Sequence, residues 1–270
     1  MLGALVIVFR EALEAGLIVG VVLAATRGVP FRGRWVAAGV GGGMLGACLL
    51  GLGAGKIASL FGGSGQELFN ALILGIAVGM LAWHNAWMAS HGREMAQDAR
   101  TLGADVARGS RSLTAVATVV GIAVLREGAE VVVFLYGILA AEGGTKLEIV
   151  MGSAAGLLGG AAISLVLYKG LLVIPIRHFF SVTTMMITLL SAGLACQAVS
   201  FLQQGGYSVL WSTPLWNSSG LISEGSWSGK TLHALVGYTD QPTGMQMVVY
   251  ASTLVFVFIL ATWSKRMARA

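Results

Sequence analysis

The chain has 270 residues, a formal net charge of +5 and a mean hydropathy of +0.81. Hydrophobic residues make up 56% of it and charged residues only 11%, against about 25% charged residues in soluble proteins. This composition excludes a soluble globular protein and predicts an integral membrane protein. The positive charge does not indicate nucleic-acid binding, because the basic residues lie between apolar segments rather than on one soluble face.

Seven apolar segments follow one another along the chain, and about 20 apolar residues are enough to cross the hydrocarbon core of a bilayer. Backbone polar groups inside the bilayer need partners within their own segment, so each segment is predicted to be a helix. The predicted spans are residues 2–25, 35–61, 67–89, 113–141, 148–172, 176–204 and 244–263. Residues 205–243 are too polar to cross, and sequence leaves open whether they form a lid or a docking surface.

The basic residues between the spans predict the orientation of the chain, because Lys and Arg concentrate in cytoplasmic loops. If the spans alternate, twelve of these residues fall on one side: Arg27, Arg32, Arg34, Arg93, Arg100, Arg108, Arg111, Lys169, Arg177, Lys265, Arg266 and Arg269. Only Lys56, Lys146 and Lys230 fall on the other side. We therefore predict an outside N-terminus and an inside C-terminus in a multi-pass protein of the cytoplasmic membrane.

Two of the spans carry charged residues near their middle, in Arg-Glu-x-x-Glu motifs at residues 10–14 and 126–130. Residues three and four apart share one face of a helix, so each motif forms a patch of two carboxylates and one guanidinium. A charge at the bilayer centre costs at least about 2.5 kcal/mol and usually marks a substrate or proton path. Arginine–glutamate pairs that merely hold helices together are the structural alternative. They would leave one of the two glutamates of each motif without a partner.

The motifs lie 116 residues apart, and the same offset carries the second and third spans close to the fifth and sixth. Three spans therefore repeat, and because three is odd the second copy is inverted. We predict repeats at residues 1–90 and 113–204, a cytoplasmic loop at 91–112, an extracytoplasmic loop at 205–243, and a final span with a cytoplasmic tail at 244–270. Inverted repeats are typical of secondary transporters, whose site lies at the midplane between the halves.

Four clustered carboxylates with two guanidinium groups would keep a net negative charge and attract a cation. Carboxylate oxygens suit hard ions such as Mg, Ca, Mn or ferric iron. A di-iron enzyme would be expected to use Glu-x-x-His on two helices, and neither motif contains histidine. Spacing alone stops at a hard cation. A carrier of another metal such as Mn2+ and a membrane metal-binding enzyme or sensor stay open as alternatives, although no residue pattern predicts a covalent catalytic step.

At this point the chain resembles the high-affinity iron permeases, the oxidase-dependent iron transporters of bacteria and fungi. The resemblance rests on the paired motifs in the first and fourth of seven spans. It also rests on Trp87-Met88 before residues 91–95, and on the stretches 232–238 and 244–246. It implies import of iron, with the iron supplied as Fe3+ by an extracytoplasmic ferroxidase, cupredoxin or peroxidase-like partner. It implies no permanent cofactor, since iron is the substrate.

The resemblance also assigns roles to the motif residues. The iron ligands that it implies are Glu11, Glu14, Glu127 and Glu130, with Arg10 and Arg126 tuning them. The family's acidic iron-collecting motifs on the outer side are not evident in this chain.

Five further polar residues are predicted to contribute to a path for the ion: His84, Asn85, His91, Glu94 and Gln197. His84 lies one helical turn from Met80 and Met88, and it is a candidate second metal ligand or proton relay. The alternative is an ordinary hydrogen-bonded histidine near an interface. For His91 and Glu94 the alternative is a solvated helix end.

Overall fold

The computed structural model describes residues 1–60, 65–142, 145–170, 176–207 and 210–267. Within these ranges the regular secondary structure is all helical, apart from one isolated bridge between Pro214 and Thr243, and the rest is turns and irregular backbone. The helices are α1 (Leu2–Ala25), α2 (Arg32–Leu60), α3 (Gln66–Ala107), α4 (Leu113–Glu142), α5 (Lys146–Tyr168), α6 (Ile176–Gln204), α7 (Trp227–Val236) and α8 (Gly244–Met267).

Each predicted span coincides with one of the seven long helices to within a few residues, except at the end of α3. Five of them, α2, α3, α5, α6 and α8, contain a stretch that is long and apolar enough to cross a membrane. The other two, α1 and α4, have 24 and 30 residues and carry the charged motifs. The chain is therefore a multi-pass helical membrane protein, while the number of seven spans and their orientation stay predictions.

Helix α3 is 42 residues long and continues to Ala107, through most of the segment predicted as a loop. The continuation is amphipathic: Ala99, Leu102 and Val106 are buried against α1, α2 and α4. Apolar residues at this spacing line one face of a helix. Hydropathy ended the span at residue 89 because the remaining helix is polar on its other face. That this segment lies on the cytoplasmic side is still a prediction.

The motif helices pack most extensively on the second helix of the opposite triplet, α1 on α5 and α4 on α2. Small residues make the closest contacts. These pairs are Met1 with Gly152, Leu5 with Gly156, Ala12 with Gly160, Ala117 with Gly39, Gly121 with Gly43, and Gly128 with Ala47. Residue numbers rise together in each set, so both helix pairs are parallel. Small residues on α2 (Gly39, Gly43 and Ala47) and on α5 (Gly152, Gly156 and Gly160) recur every four positions in the sequence, a spacing that puts them on one helix face and permits this close approach.

These contacts also correspond position by position. Each α4 residue of the set lies 116 positions after its α1 counterpart, and each α5 residue lies 113 positions after its α2 counterpart. The third helices follow the same relation, because Leu74, Ala77 and Leu81 of α3 share a core with residues 113 positions later in α6. The two triplets thus make equivalent contacts with each other.

Substitution of the central glycines is expected to weaken this packing. A Cβ on Gly43 would lie 2.6 Å from the Gly121 carbonyl oxygen, and one on Gly156 would lie 2.5 Å from that of Leu5. Because backbone atoms cannot rotate away, Gly43→Ala and Gly156→Ala should each destabilise the protein by about 1–3 kcal/mol. Gly42, with open space around it, is the control. Thermal unfolding in detergent measures the difference, and equal stabilities for Gly42→Ala and Gly43→Ala would contradict the packing.

Two apolar cores enclose the charged motifs. One core contains Ala4, Ile7, Leu81, Phe134 and neighbours from α6. The other is built from valines and leucines on α1 to α4, among them Val22, Val36, Leu102, Val120 and Val124. Along α1 and α4 the motif residues fall between the two cores. The charges therefore occupy a polar layer inside an otherwise apolar bundle.

Candidate metal centre

The α1 motif is almost completely removed from solvent. Arg10, Glu11 and Glu14 are 1%, 1% and 3% exposed. Arg10 Nε lies 2.8 Å from Glu14 Oε1, and Arg10 Nη1 lies 3.8 Å from Glu11 Oε1. Arginine therefore holds the second glutamate of the motif tightly and the first only loosely.

The α4 motif has the same pairing but is more open. Arg126 Nε donates to Glu130 Oε1 at 3.3 Å, and the Arg126 side chain is 34% exposed. Its guanidinium stacks 4.3 Å from the ring centroid of Trp87, a cation–π geometry. Glu127, the first glutamate of the same motif, is buried. Arg126 thus contacts the Trp87 ring as well as Glu130, a contact that the sequence analysis missed.

His84 of α3 joins the two motifs. Its Nε2 lies 3.2 Å from Glu14 Oε2 on α1 and 4.0 Å from Glu11 Oε2. Its Nδ1 contacts Glu130 Oε2 on α4. The imidazole is 3% exposed, so it bridges one glutamate of each motif inside the bundle. From the sequence, His84 was only a candidate second metal ligand or proton relay, because the residues that it contacts lie on other helices.

Glu11, His84, Glu127 and Glu130 form the compact part of the cluster, and one ligand atom from each lies within 4.8 Å of the others. Nitrogen and oxygen ligands sit about 2.0–2.2 Å from a bound transition-metal ion, so opposite ligands are about 4 Å apart. Only a small contraction would seat an ion. Glu14 lies outside this set, next to Arg10 and His84.

The carboxylates of Glu11 and Glu127 are both buried and contact each other. Arg10 Nη1 lies 3.8 Å and His84 Nε2 lies 4.0 Å from the Glu11 carboxylate, so neither makes a close hydrogen bond to it. The Asn85 amide, also buried, has no hydrogen-bond partner among the described residues. Buried polar groups are nearly always hydrogen-bonded, and buried charges are paired or bind metals. Two buried carboxylates in contact need a proton or a cation between them, which a purely structural ion pair would not require.

A cavity of about 270 Å³ reaches this cluster from the surface of the chain. Its lining residues are Met80, Trp83, His84, Trp87, Arg126 and Glu130. The protein therefore leaves the cluster uncovered beside the α4 motif, whereas it covers the α1 motif.

The remaining predicted path residues lie elsewhere. The Glu94 side chain is exposed on the continuation of α3, and the side chain of His91 lies outside the described residues. The Gln197 amide nitrogen lies 3.2 Å from Nε2 of His233, which belongs to α7. Gln197 thus contacts the segment after α6 rather than the motif cluster.

Comparison with known proteins decides the family. A model described as the iron permease FTR1 family matches residues 1–269. The chain belongs to this family. FTR1 membership indicates a permease that transports iron across a membrane, as the family resemblance implied.

Curated relatives of this chain are named as ferrous iron permeases. A protein of Escherichia coli O157:H7 named ferrous iron permease EfeU is 29% identical over 248 residues, which cover 90% of this chain and 89% of the relative. A Yersinia pestis protein of the same name is 28% identical over 258 residues, covering 94% and 90%. A 28% identical protein of Escherichia coli strain K12 is named a putative inactive ferrous iron permease EfeU. No solved structure matches the chain.

Proposed function

We propose that this FTR1 protein imports iron across the cytoplasmic membrane through the cluster formed by its two motifs. The observation that carries the proposal is the buried cluster of Glu11, His84, Glu127 and Glu130, whose ligand atoms all lie within 4.8 Å of one another. Desolvation of the carboxylates is unfavourable unless a cation or a proton compensates it. Four glutamates and two arginines leave a formal charge of −2, which favours a cation over an anion.

In this proposal the ion binds between Glu11, Glu127, Glu130 and His84. Three of the four predicted glutamate ligands are kept, and His84 takes the fourth place through its position between the motifs. Glu14 acts at the edge of the site, where it positions Arg10 and the imidazole. Arg10 and Arg126 offset repulsion among the carboxylates when no ion is bound.

The proposed architecture is seven spans, with two inverted three-helix repeats and a C-terminal helix. The equivalent contacts of the triplets support the repeat. Gly205, just after α6, lies close to Glu67 at the start of α3, which supports antiparallel third helices and hence the inversion. The site would then lie near the midplane, as in other transporters built from inverted repeats.

Two observations bear on the oxidation state of the imported iron. The family resemblance favours Fe3+ delivered by an extracytoplasmic ferroxidase, cupredoxin or peroxidase-like partner. The names of the curated relatives instead point to Fe2+. Three carboxylates and one imidazole can hold either ion, and they also suit Mn2+.

Uptake of labelled iron into sealed proteoliposomes tests the proposal. Iron is offered separately as Fe2+ and as chelated Fe3+, with and without excess Mn2+. Accumulation of one iron species that Mn2+ does not abolish is the expected result. Abolition by Mn2+ would favour a carrier of other hard ions, and binding without accumulation would favour a sensor.

A further inference from the structure

The segment after α6 folds back onto the bundle through residues that the sequence analysis singled out but the proposed site does not use. Gly237, with a left-handed φ of 70°, is in direct backbone contact with Gly193 of α6. His233 lies against Gln197, and the Gln246 carbonyl accepts from Cys196 Sγ at 3.2 Å. Gln197 is seven residues before the end of α6, about 10 Å along the helix. The end of α7 therefore reaches into the bundle.

The covered positions on α6 have counterparts on α3, 113 positions earlier in the chain. Gly193, Cys196 and Gln197 correspond to Met80, Trp83 and His84. These three α3 residues line the open cavity beside the α4 motif. The surface covered by α7 and the start of α8 is thus the equivalent of the cavity wall.

Exposure differs between the two equivalent places in a consistent direction. Trp83 is 67% exposed and Cys196 only 6%. The Arg126 side chain is 34% exposed and that of Arg10 only 1%. Glu130 is also more exposed than Glu14, at 12% against 2%. One approach to the charged cluster is open and its equivalent is covered.

We propose that α7 and Gly237 form a lid over the second approach to the metal site, with the hydrogen bond between Gln197 and His233 as its latch. This inference rests on the proposed transport function. A carrier must expose its site to each side in turn, and movement of α7 would uncover Gln197 in the place that His84 holds on the open side.

The latch has a defined direction. His233 Nδ1 lies 2.8 Å from the Tyr238 carbonyl oxygen, which only accepts, so Nδ1 carries a hydrogen. Glu224 Oε1 lies 3.2 Å from the same nitrogen. In the neutral ring, Nε2 then accepts from the Gln197 amide. The Tyr250 hydroxyl also donates to Val236 O at 2.8 Å.

Cys196 reports the position of the lid, because it is buried next to the latch residue Gln197 and its Sγ donates to the Gln246 carbonyl at the start of α8. In a Cys48→Ala background, Cys196 is labelled with a charged, membrane-impermeant methanethiosulfonate added from the α7 side. His233→Ala and Gln197→Leu should each speed labelling about three- to tenfold, the shift expected when one hydrogen bond is lost from an open–closed equilibrium. Thr231→Ala is the matched control. Among the described residues, the Thr231 hydroxyl donates only to Trp227 O, within α7 itself. Unchanged labelling in both latch variants would overturn the lid.

A second measurement links the lid to transport. Cysteines replacing both Gln197 and His233 are joined with a short bis-methanethiosulfonate, and iron uptake is compared before linking, after linking and after reduction. Reversible loss of uptake is expected. Full uptake by linked protein would refute the lid while leaving the proposed function intact. Absence of uptake in the wild type would refute the proposed function, and Cys196 labelling would still test the lid.

Discussion

Glu127→Gln and Glu11→Gln are each expected to reduce the initial rate of iron uptake by more than about 100-fold, the upper end of what loss of a supporting group near a metal costs. Glutamine keeps the size of the side chain but removes the charge that attracts the ion. Because each variant also replaces one of two buried carboxylates that contact each other, its thermal stability in detergent should equal or exceed that of the wild type. Loss of uptake with preserved stability would separate an ion site from a structural pair.

The matched control is Glu148→Gln, the same change at an exposed position in the first turn of α5. It should keep uptake near the wild-type rate. Normal uptake by Glu11→Gln and Glu127→Gln would contradict the proposed site. Equal loss in all three variants would show that the effect is not specific to the cluster.

His84→Gln is expected to lower iron affinity and uptake about 10- to 100-fold, since His84 is the link between the motifs. Glutamine cannot reach both Glu14 and Glu130 as the ring does. Equilibrium binding of iron and proteoliposome uptake measure the two losses.

A spectroscopic readout separates ligation by His84 from a purely structural role. Pulsed electron paramagnetic resonance of bound Mn2+ or Fe3+ should detect a coupled nitrogen in the wild type and lose it in His84→Gln. Wild-type protein that binds the ion without a coupled nitrogen would leave the glutamates as the protein ligands and remove His84 from the ligand set.

The helix positions were predictable because bilayer thickness and hydropathy fix them locally. The bounds of α1 and α6, for example, are those predicted. The paired motifs were also predictable as a candidate site. Carboxylates inside apolar spans need a cation, a proton or a hydrogen-bond donor, wherever the helices lie. The spacing of four between small residues on α2 and α5 indicated close packing, although it did not indicate which helices would meet.

Contacts between distant residues were harder to predict. His84 meets glutamates 70 positions before it and 46 positions after it, so its own span gives no sign of them. The continuation of α3 was missed because a half-polar helix has no distinct hydropathy signal. Docking of α7 depends on single contacts such as that between Gln197 and His233. Such contacts appear only after the helices are assembled.

The interleaved pairing of the helices has a consequence for biogenesis. During synthesis α1 enters the membrane with three charged residues, yet its most extensive partner, α5, emerges only after some 145 residues have been made. N-terminal segments generally fold first, but here the first repeat cannot complete its packing alone. A chain truncated at residue 110, after the end of α3, should therefore be retained by the insertion machinery or degraded. Co-expression with the remaining half should restore it.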